Sequence, residues 1–202
     1  MSKELIFVLD NVVPDWLYTS IKNNVSAIPV TYGHRGIGPD QGNSFFSRVW
    51  STYELQLMPW ECKAIFTALN HTRFNLSSDD EVLPLHLNQC QLNVTTQNLV
   101  GGIHTDVCDP AWTMVHLISG DSGMDFWTDL PENNGIKIQE VGYKDNRCIV
   151  FPSHILHRGL PPNKVEPRIT FGYIFSGPPL NEYAAKNNVL SPIFKKEYKS
   201  YE

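Results

Sequence analysis

From residue 83 onward the chain is written in short runs of alternating character. Leu85-His86-Leu87-Asn88-Gln89-Cys90-Gln91-Leu92-Asn93-Val94 switches between apolar and polar in the manner of a half-buried strand. Shorter strand-like runs follow around His104 and over residues 112–118, 124–128, 137–141, 148–151 and 168–175. Turn-formers separate them: Gly101-Gly102, Gly120-Asp121-Ser122-Gly123, Pro131-Glu132-Asn133-Asn134-Gly135 and Lys144-Asp145-Asn146. Many short strands at even spacing predict a β-sandwich or barrel.

Upstream of residue 83 the period changes. Residues 4–9 read as a short buried strand. Val13-Pro14-Asp15-Trp16 opens a helix that runs to about residue 26, with Trp16, Leu17, Ile21 and Val25 at helical spacing. Pro14 suits its first turn. Residues 31–44 hold four glycines and one proline and read as a long loop. Residues 45–53 read as a strand. Pro59 starts a second helix to about residue 71, with Ile65, Phe66 and Leu69 on one face, as for a helix packed on the outside of a sheet. The tail carries a short helix near residues 181–186.

Size and composition narrow this picture. At 202 residues and 23.0 kDa the chain fits one domain, 1–202, with a core of useful size. Within it we distinguish N-terminal helices and supporting strands (1–82), a strand-rich core (83–177) and a tail (178–202). Hydrophobic residues at 42% and charged residues at 18% are ordinary for a folded protein. A net charge of −5 argues against a nucleic-acid-binding face. Cys62, Cys90, Cys108 and Cys148 are scattered, so they read as reduced thiols rather than a zinc site or a disulfide framework. No run approaches the length of a membrane span, and Leu5-Ile6-Phe7-Val8-Leu9 is too short for a signal peptide's apolar region. The expectation is a cytoplasmic protein without membrane contact, in which the Asn-x-Ser/Thr sequons at Asn70, Asn75 and Asn93 are coincidental.

The chemistry gathers around Gly101-Gly102-Ile103-His104-Thr105-Asp106. In extended chain, side chains two apart share a face, so His104 and Asp106 can offer a nitrogen and an oxygen to one metal ion. Fifty-one positions after Asp106 comes His157, within Phe151-Pro152-Ser153-His154-Ile155-Leu156-His157-Arg158-Gly159, and eleven further on Arg168-Ile169-Thr170 opens another strand. Two histidines and a carboxylate on one side of a metal make the facial triad of non-haem Fe(II) oxygenases. An isolated His-x-Asp pair reads as a loop histidine and a turn aspartate; the downstream partners favour the ligand reading.

This ordered set, over roughly residues 85–175, resembles the signature of the Fe(II)/2-oxoglutarate-dependent dioxygenase superfamily, and is most similar to its prolyl 4-hydroxylase-like branch. The resemblance implies a mainly β (α+β) fold: a double-stranded β-helix, or cupin-like jelly roll, with the two N-terminal helices packed on one sheet. It implies Fe(II) held by His104, Asp106 and His157, with 2-oxoglutarate, O2 and ascorbate as the other cofactors. It makes His157 rather than His154 the third ligand and leaves His154 at the surface or behind the site. Arg168 then binds the far carboxylate of 2-oxoglutarate, assisted by the Thr170 hydroxyl, and a guanidinium fork suits a carboxylate. Asn93 is a candidate cosubstrate contact. Many relatives carry a tyrosine in this region and this chain does not; Thr113 or His116 is a candidate for the gap, and being three apart they face opposite ways. Trp50, Trp112 and Trp127 read as core, while Arg158 and loop 31–44 are candidates for substrate contact.

The implied activity is oxidative decarboxylation of 2-oxoglutarate to succinate and CO2, coupled to hydroxylation of an unactivated C–H bond in a peptidyl (prolyl) or small-molecule substrate. Relatives that halogenate have a small residue at the position of Asp106, so hydroxylation is the expected outcome. The alternatives are a degenerate jelly roll that binds metal or ligand without turnover, a nucleic-acid demethylase, and a zinc hydrolase on the same ligands; the last leaves Arg168 without a role.

Overall fold

The computed structural model describes residues 6–34, 45–74, 86–99, 101–106 and 111–176. The tail helix, Cys108, the Asn75 sequon and most of loop 31–44 lie outside these residues.

Among the described residues ten strands form two antiparallel sheets. They are β1 (Phe7–Asp10), β2 (Thr31–His34), β3 (Phe45–Ser51), β4 (His86–Thr95), β5 (Ala111–Ser119), β6 (Met124–Trp127), β7 (Lys137–Val141), β8 (Arg147–Pro152), β9 (Leu156–Gly159) and β10 (Arg168–Ser176). The large sheet has the order β1-β8-β5-β10-β4-β3-β2, and the small one β7-β6-β9. An isolated antiparallel bridge between His104 and His157 adds a fragment of a fourth strand beside β9. The described residues also form two α-helices, α1 (Asp15–Asn24) and α2 (Trp60–Phe74).

Strand parity assigns the two faces of the large sheet. Trp112, Met114 and Ile118 of β5 join Phe171, Tyr173 and Phe175 of β10, Cys90 and Leu92 of β4 and Trp50 of β3 in one core. Leu17 and Ile21 of α1 and Cys62, Ile65 and Phe66 of α2 close that core from outside. The helices therefore lie on one face of one sheet, as expected. The other parity set packs between the sheets: Val115, Leu117, Ile149 and Phe151 meet Met124, Phe126 and Val141. Phe126 and Phe151 make an edge-on ring pair with centroids 5.0 Å apart.

Local sequence explains several details. The apolar phase of residues 85–94 shifts between Leu87 and Cys90. The ladder absorbs the shift where Ile174 pairs Gln89 but Phe175 pairs Leu87, a bulge that keeps both halves of β4 facing the core. Residues 31–34 are a strand, not loop, paired to β3 at the sheet edge. Leu156–Gly159 is also a strand that the pattern did not reveal. Conversely, the expected strand around His104 is reduced to the single bridge. Trp50 and Trp112 are core, but Trp127 is not: it lies on the outer face of the small sheet, half-buried. Cys62, Cys90 and Cys148 are buried free thiols. Among the described residues no helix is long and apolar enough to cross a membrane.

Candidate metal and dicarboxylate site

His104 and His157 are joined through their backbones. His104 N–H donates to His157 O at 3.0 Å and His157 N–H donates to His104 O at 2.9 Å. Asp106 N–H donates to Ser153 O at 3.0 Å, just beyond β8. The two distant motifs thus meet before any side chain is considered.

The three side chains converge. His104 Nε2 is 3.6 Å from Asp106 Oδ1, and His157 Nε2 is 3.6 Å from Asp106 Oδ2. The ligand atoms of all three lie within 4.8 Å of one another. Each imidazole has its Nδ1 held 2.8 Å from a carbonyl oxygen, that of Gly102 for His104 and that of Ile155 for His157. Carbonyls only accept, so each Nδ1 carries the proton and each Nε2 turns a lone pair into the site. Backbone acceptors behind ligand histidines are a recurrent feature of metal centres.

The charge states suit a cation. Burial pushes the Asp106 carboxyl up, but the His157 charge and the contact with His104 overcome this and hold it at about 2. Burial pushes His157 below the ordinary imidazole value, despite the opposing charge of Asp106. His104 is also pushed down by burial, yet its contact with Asp106 leaves it raised overall. At neutral pH the group offers one carboxylate and an imidazole already neutral at His157. This nitrogen–oxygen set matches first-row divalent ions, Fe(II) among them.

A cavity of about 350 Å³ opens from the triad between the sheets. Arg168 and Thr170 line it from β10, and Asn93 lines it from β4, directly across from Thr170. Arg168 is 4% exposed. Its Nε donates to Ser122 O at 3.2 Å, and its terminal nitrogens have no partner among the described residues. Burial without a counter-charge pushes it down to about 10, still protonated at neutral pH. A buried guanidinium costs free energy unless something anionic meets it. Gly159 makes its position possible: a Cβ there would lie 2.8 Å from Arg168 Nη1.

No protein-family model matches the sequence, and no curated protein does. Solved structures do. The non-haem α-ketoglutarate-dependent epimerase SnoN from nogalamycin biosynthesis aligns at TM-score 0.62 and 12% identity, covering 87% of this chain and 78% of its own. The fold is that of the Fe(II)/2-oxoglutarate-dependent oxygenases. A Pseudomonas putida prolyl-4-hydroxylase aligns at TM-score 0.55 and 11% identity, over 88% of this chain and 95% of its own. A 2-oxoglutarate–Fe(II) oxygenase-family oxidoreductase from Burkholderia pseudomallei aligns at TM-score 0.59 and 15% identity, over 85% of both chains. A further SnoN structure holds Fe3+ and α-ketoglutarate.

All six sequence-identified site residues therefore line one cavity of this oxygenase fold. Asn93 Oδ1 accepts from Gln91 Nε2 at 2.6 Å, so its own amide nitrogen remains available to a ligand. Of the pair left open in the sequence, Thr113 faces the cavity and touches Asp106, while His116 is buried on the helix side against Tyr18. His154 is exposed. Arg158 does not line this cavity: its Nη2 lies 2.7 Å from Asp125 Oδ2 on the outer face of the small sheet. Sequence reasoning missed Ser153, Gln89 and Gln91. The two glutamines were findable, since they share the parity of Asn93 on β4.

Proposed function

We propose that this protein is an Fe(II)- and 2-oxoglutarate-dependent oxygenase that hydroxylates an unactivated C–H bond. The observation that carries the reading is the guanidinium of Arg168, which has no counter-charge among the described residues and is buried in the same cavity as the His104–Asp106–His157 triad. A metal site alone would need no such cation. A dicarboxylate cosubstrate needs one group at each end, and the cavity offers a cation-binding triad and a buried cation.

In this reading His104, Asp106 and His157 would hold the iron, which when bound supplies activation of oxygen coupled to decarboxylation of the cosubstrate. The chain's own residues do the rest. Arg168 neutralises the far carboxylate of 2-oxoglutarate with charge-assisted hydrogen bonds, strengthened because the guanidinium is buried. Thr170 donates its hydroxyl beside it, and Asn93 offers an amide donor from the neighbouring strand. Fixed at that end, the cosubstrate has one orientation toward the triad. Val115, Met124 and Ile174 on the cavity wall exclude water from the space between.

The substrate is proposed more coarsely, as a peptidyl group, prolyl by branch resemblance, or a small molecule. One structural neighbour is named a prolyl hydroxylase and another an epimerase of nogalamycin biosynthesis. The zinc-hydrolase reading gains nothing from Arg168. The net charge of −5 disfavours a nucleic-acid substrate.

Anaerobic titration of the Fe(II)-loaded protein with 2-oxoglutarate tests the reading. A weak visible charge-transfer band that saturates with the cosubstrate is expected. Iron binding without that band would refute the 2-oxoglutarate assignment.

A further inference from the structure

We propose that Thr113 is a positioning residue for the Asp106 carboxylate, that Ser153 orients Thr113, and that this pair of buried hydroxyls sets how tightly the triad holds a divalent cation. The inference rests on the triad being a cation site, as proposed above.

The geometry is a closed loop of contacts. Thr113 Oγ1 donates to Asp106 Oδ2 at 2.5 Å. Ser153 Oγ lies 2.8 Å from Thr113 Oγ1. Ser153 O accepts the Asp106 N–H at 3.0 Å, and Ser153 N–H donates to Ala111 O at 2.9 Å. Ser153 thus grips the backbone of Asp106 directly and its side chain through Thr113. Both hydroxyl residues are buried, Ser153 at 0% and Thr113 at 2% exposure.

Proton counting gives the loop a direction. A threonine hydroxyl has one hydrogen, and an ionised carboxylate can only accept. The Thr113 hydrogen is therefore committed to Asp106, and Ser153 must be the donor in the second bond. The chain runs Ser153 Oγ–H to Thr113 Oγ1–H to Asp106 Oδ2, each bond polarising the next. This bond takes one of the acceptor sites of Oδ2 and leaves Oδ1, on the His104 side, as the less encumbered ligand atom.

The arrangement serves the site because Asp106 has little else to hold it. Its side-chain contacts among the described residues are the two imidazole Nε2 atoms, each 3.6 Å away, and Thr113, the one at hydrogen-bond distance. A carboxylate free to rotate loses orientational entropy on binding a cation. One already clamped does not, and groups that orient metal ligands typically change affinity by roughly ten- to hundredfold. The strand position fits the role: Thr113 pairs with Phe151 on β8, so β5 carries the hydroxyl to the edge where the β8–β9 turn presents Ser153.

Anaerobic titration of the metal-free protein with Co(II), followed by its visible d–d absorption, separates this proposal from a merely structural role. Thr113→Val keeps the shape and removes the donor; we expect roughly ten- to hundredfold weaker Co(II) binding and a shifted band pattern. Thr113→Ser restores both the affinity and the spectrum. Thr113→Ala is the second variant, in case valine perturbs folding, and carries the same expectation as Thr113→Val. Ser153→Ala leaves every group that touches the carboxylate and removes only the donor behind it; a smaller but measurable weakening is expected. Wild-type affinity and spectrum in Thr113→Val or Thr113→Ala would overturn the proposal while the cation site stands. Failure of the wild-type protein to bind Co(II) would overturn the cation site and this proposal together.

Discussion

His104 and His157 exchange both of their backbone hydrogen bonds across 53 residues of sequence, at 3.0 and 2.9 Å. Directly opposed antiparallel residues of this kind hold their Cα atoms in a fixed relation. The imidazoles are thereby set side by side, with ring centroids 4.6 Å apart. The site is built by the chain, so removing a ligand side chain should leave its frame intact. His104→Ala and Asp106→Ala are expected to abolish iron binding while keeping the far-ultraviolet circular dichroism of the parent. Iron content measured after anaerobic loading checks this. Wild-type iron content in either variant would refute the triad.

The same group gives cation binding a defined pH dependence. Metal binding requires deprotonated ligands. Asp106 stays ionised down to about 2, so it does not limit affinity near neutrality. His104, raised above the ordinary imidazole value of 6.5 by Asp106, does. Protons compete for its Nε2 as pH falls, and affinity for Co(II) should drop up to about tenfold per unit once pH is below the His104 pKa. Titrations at several pH values measure it, and a flat profile through the acid side of neutrality would exclude His104 as a ligand.

Arg168 should matter to the cosubstrate and not to the metal. Arg168→Gln removes the charge and keeps a polar side chain. Loss of a charge-assisted hydrogen bond is worth about 2 kcal/mol, or roughly thirtyfold in affinity for 2-oxoglutarate. Iron content should be unchanged. Equal 2-oxoglutarate affinity in the variant would place the anchor elsewhere.

Gly159 offers a test of the same anchor from a residue with no side chain of its own. A Cβ at this position would sit 2.8 Å from Arg168 Nη1 and 3.1 Å from Cζ. Gly159→Ala must push the guanidinium aside. Weaker 2-oxoglutarate binding with normal iron content is expected, in the direction of Arg168→Gln. Wild-type cosubstrate affinity in Gly159→Ala would mean that the Arg168 side chain relocates without loss.

How far the sequence carried each of these residues depended on the kind of signal involved. His104, Asp106, His157 and Arg168 were legible because their types and order are informative, and the long alternating strands set the fold class. Thr113 and His116 could not be told apart, although their opposite parity was evident. β5 is buried along almost its whole length on both faces, so no polar side marked its orientation. β2 was hidden by Gly33, which adopts φ +113° at a register irregularity opposite β3. β9 was hidden by its four-residue length and by the turn before it. Ser153 carries no sequence signal, since its role exists only where three distant segments meet. The ion pair of Arg158 was not legible because an arginine beside a ligand histidine gives no sign of its cross-strand partner Asp125.

The last prediction concerns His116, which the site does not use. Its Nε2 lies 3.2 Å from Asn146 Oδ1, and Asn146 in turn donates to Val13 O at 2.7 Å, tying β5 to the segment before α1. Burial pushes the imidazole down to about 4, and its Nδ1 has no partner. In the unfolded chain it titrates near 6.5. Between those values the unfolded state holds a proton that the folded state lacks, so stability rises with pH across this window and is lost as pH falls through it. The loss from this residue is on the order of 2 kcal/mol between pH 7 and pH 5. Asp10 does not contribute there. The hydrogen bond from Arg147 holds its carboxyl below the ordinary 3.8, so its stabilising effect persists until more acid pH. His116→Gln keeps a donor for Asn146 without a titration. Urea unfolding at pH 7 and pH 5 should show the variant losing less stability than wild type by about that amount. Parallel losses in the two proteins would mean that folding does not push the His116 imidazole down.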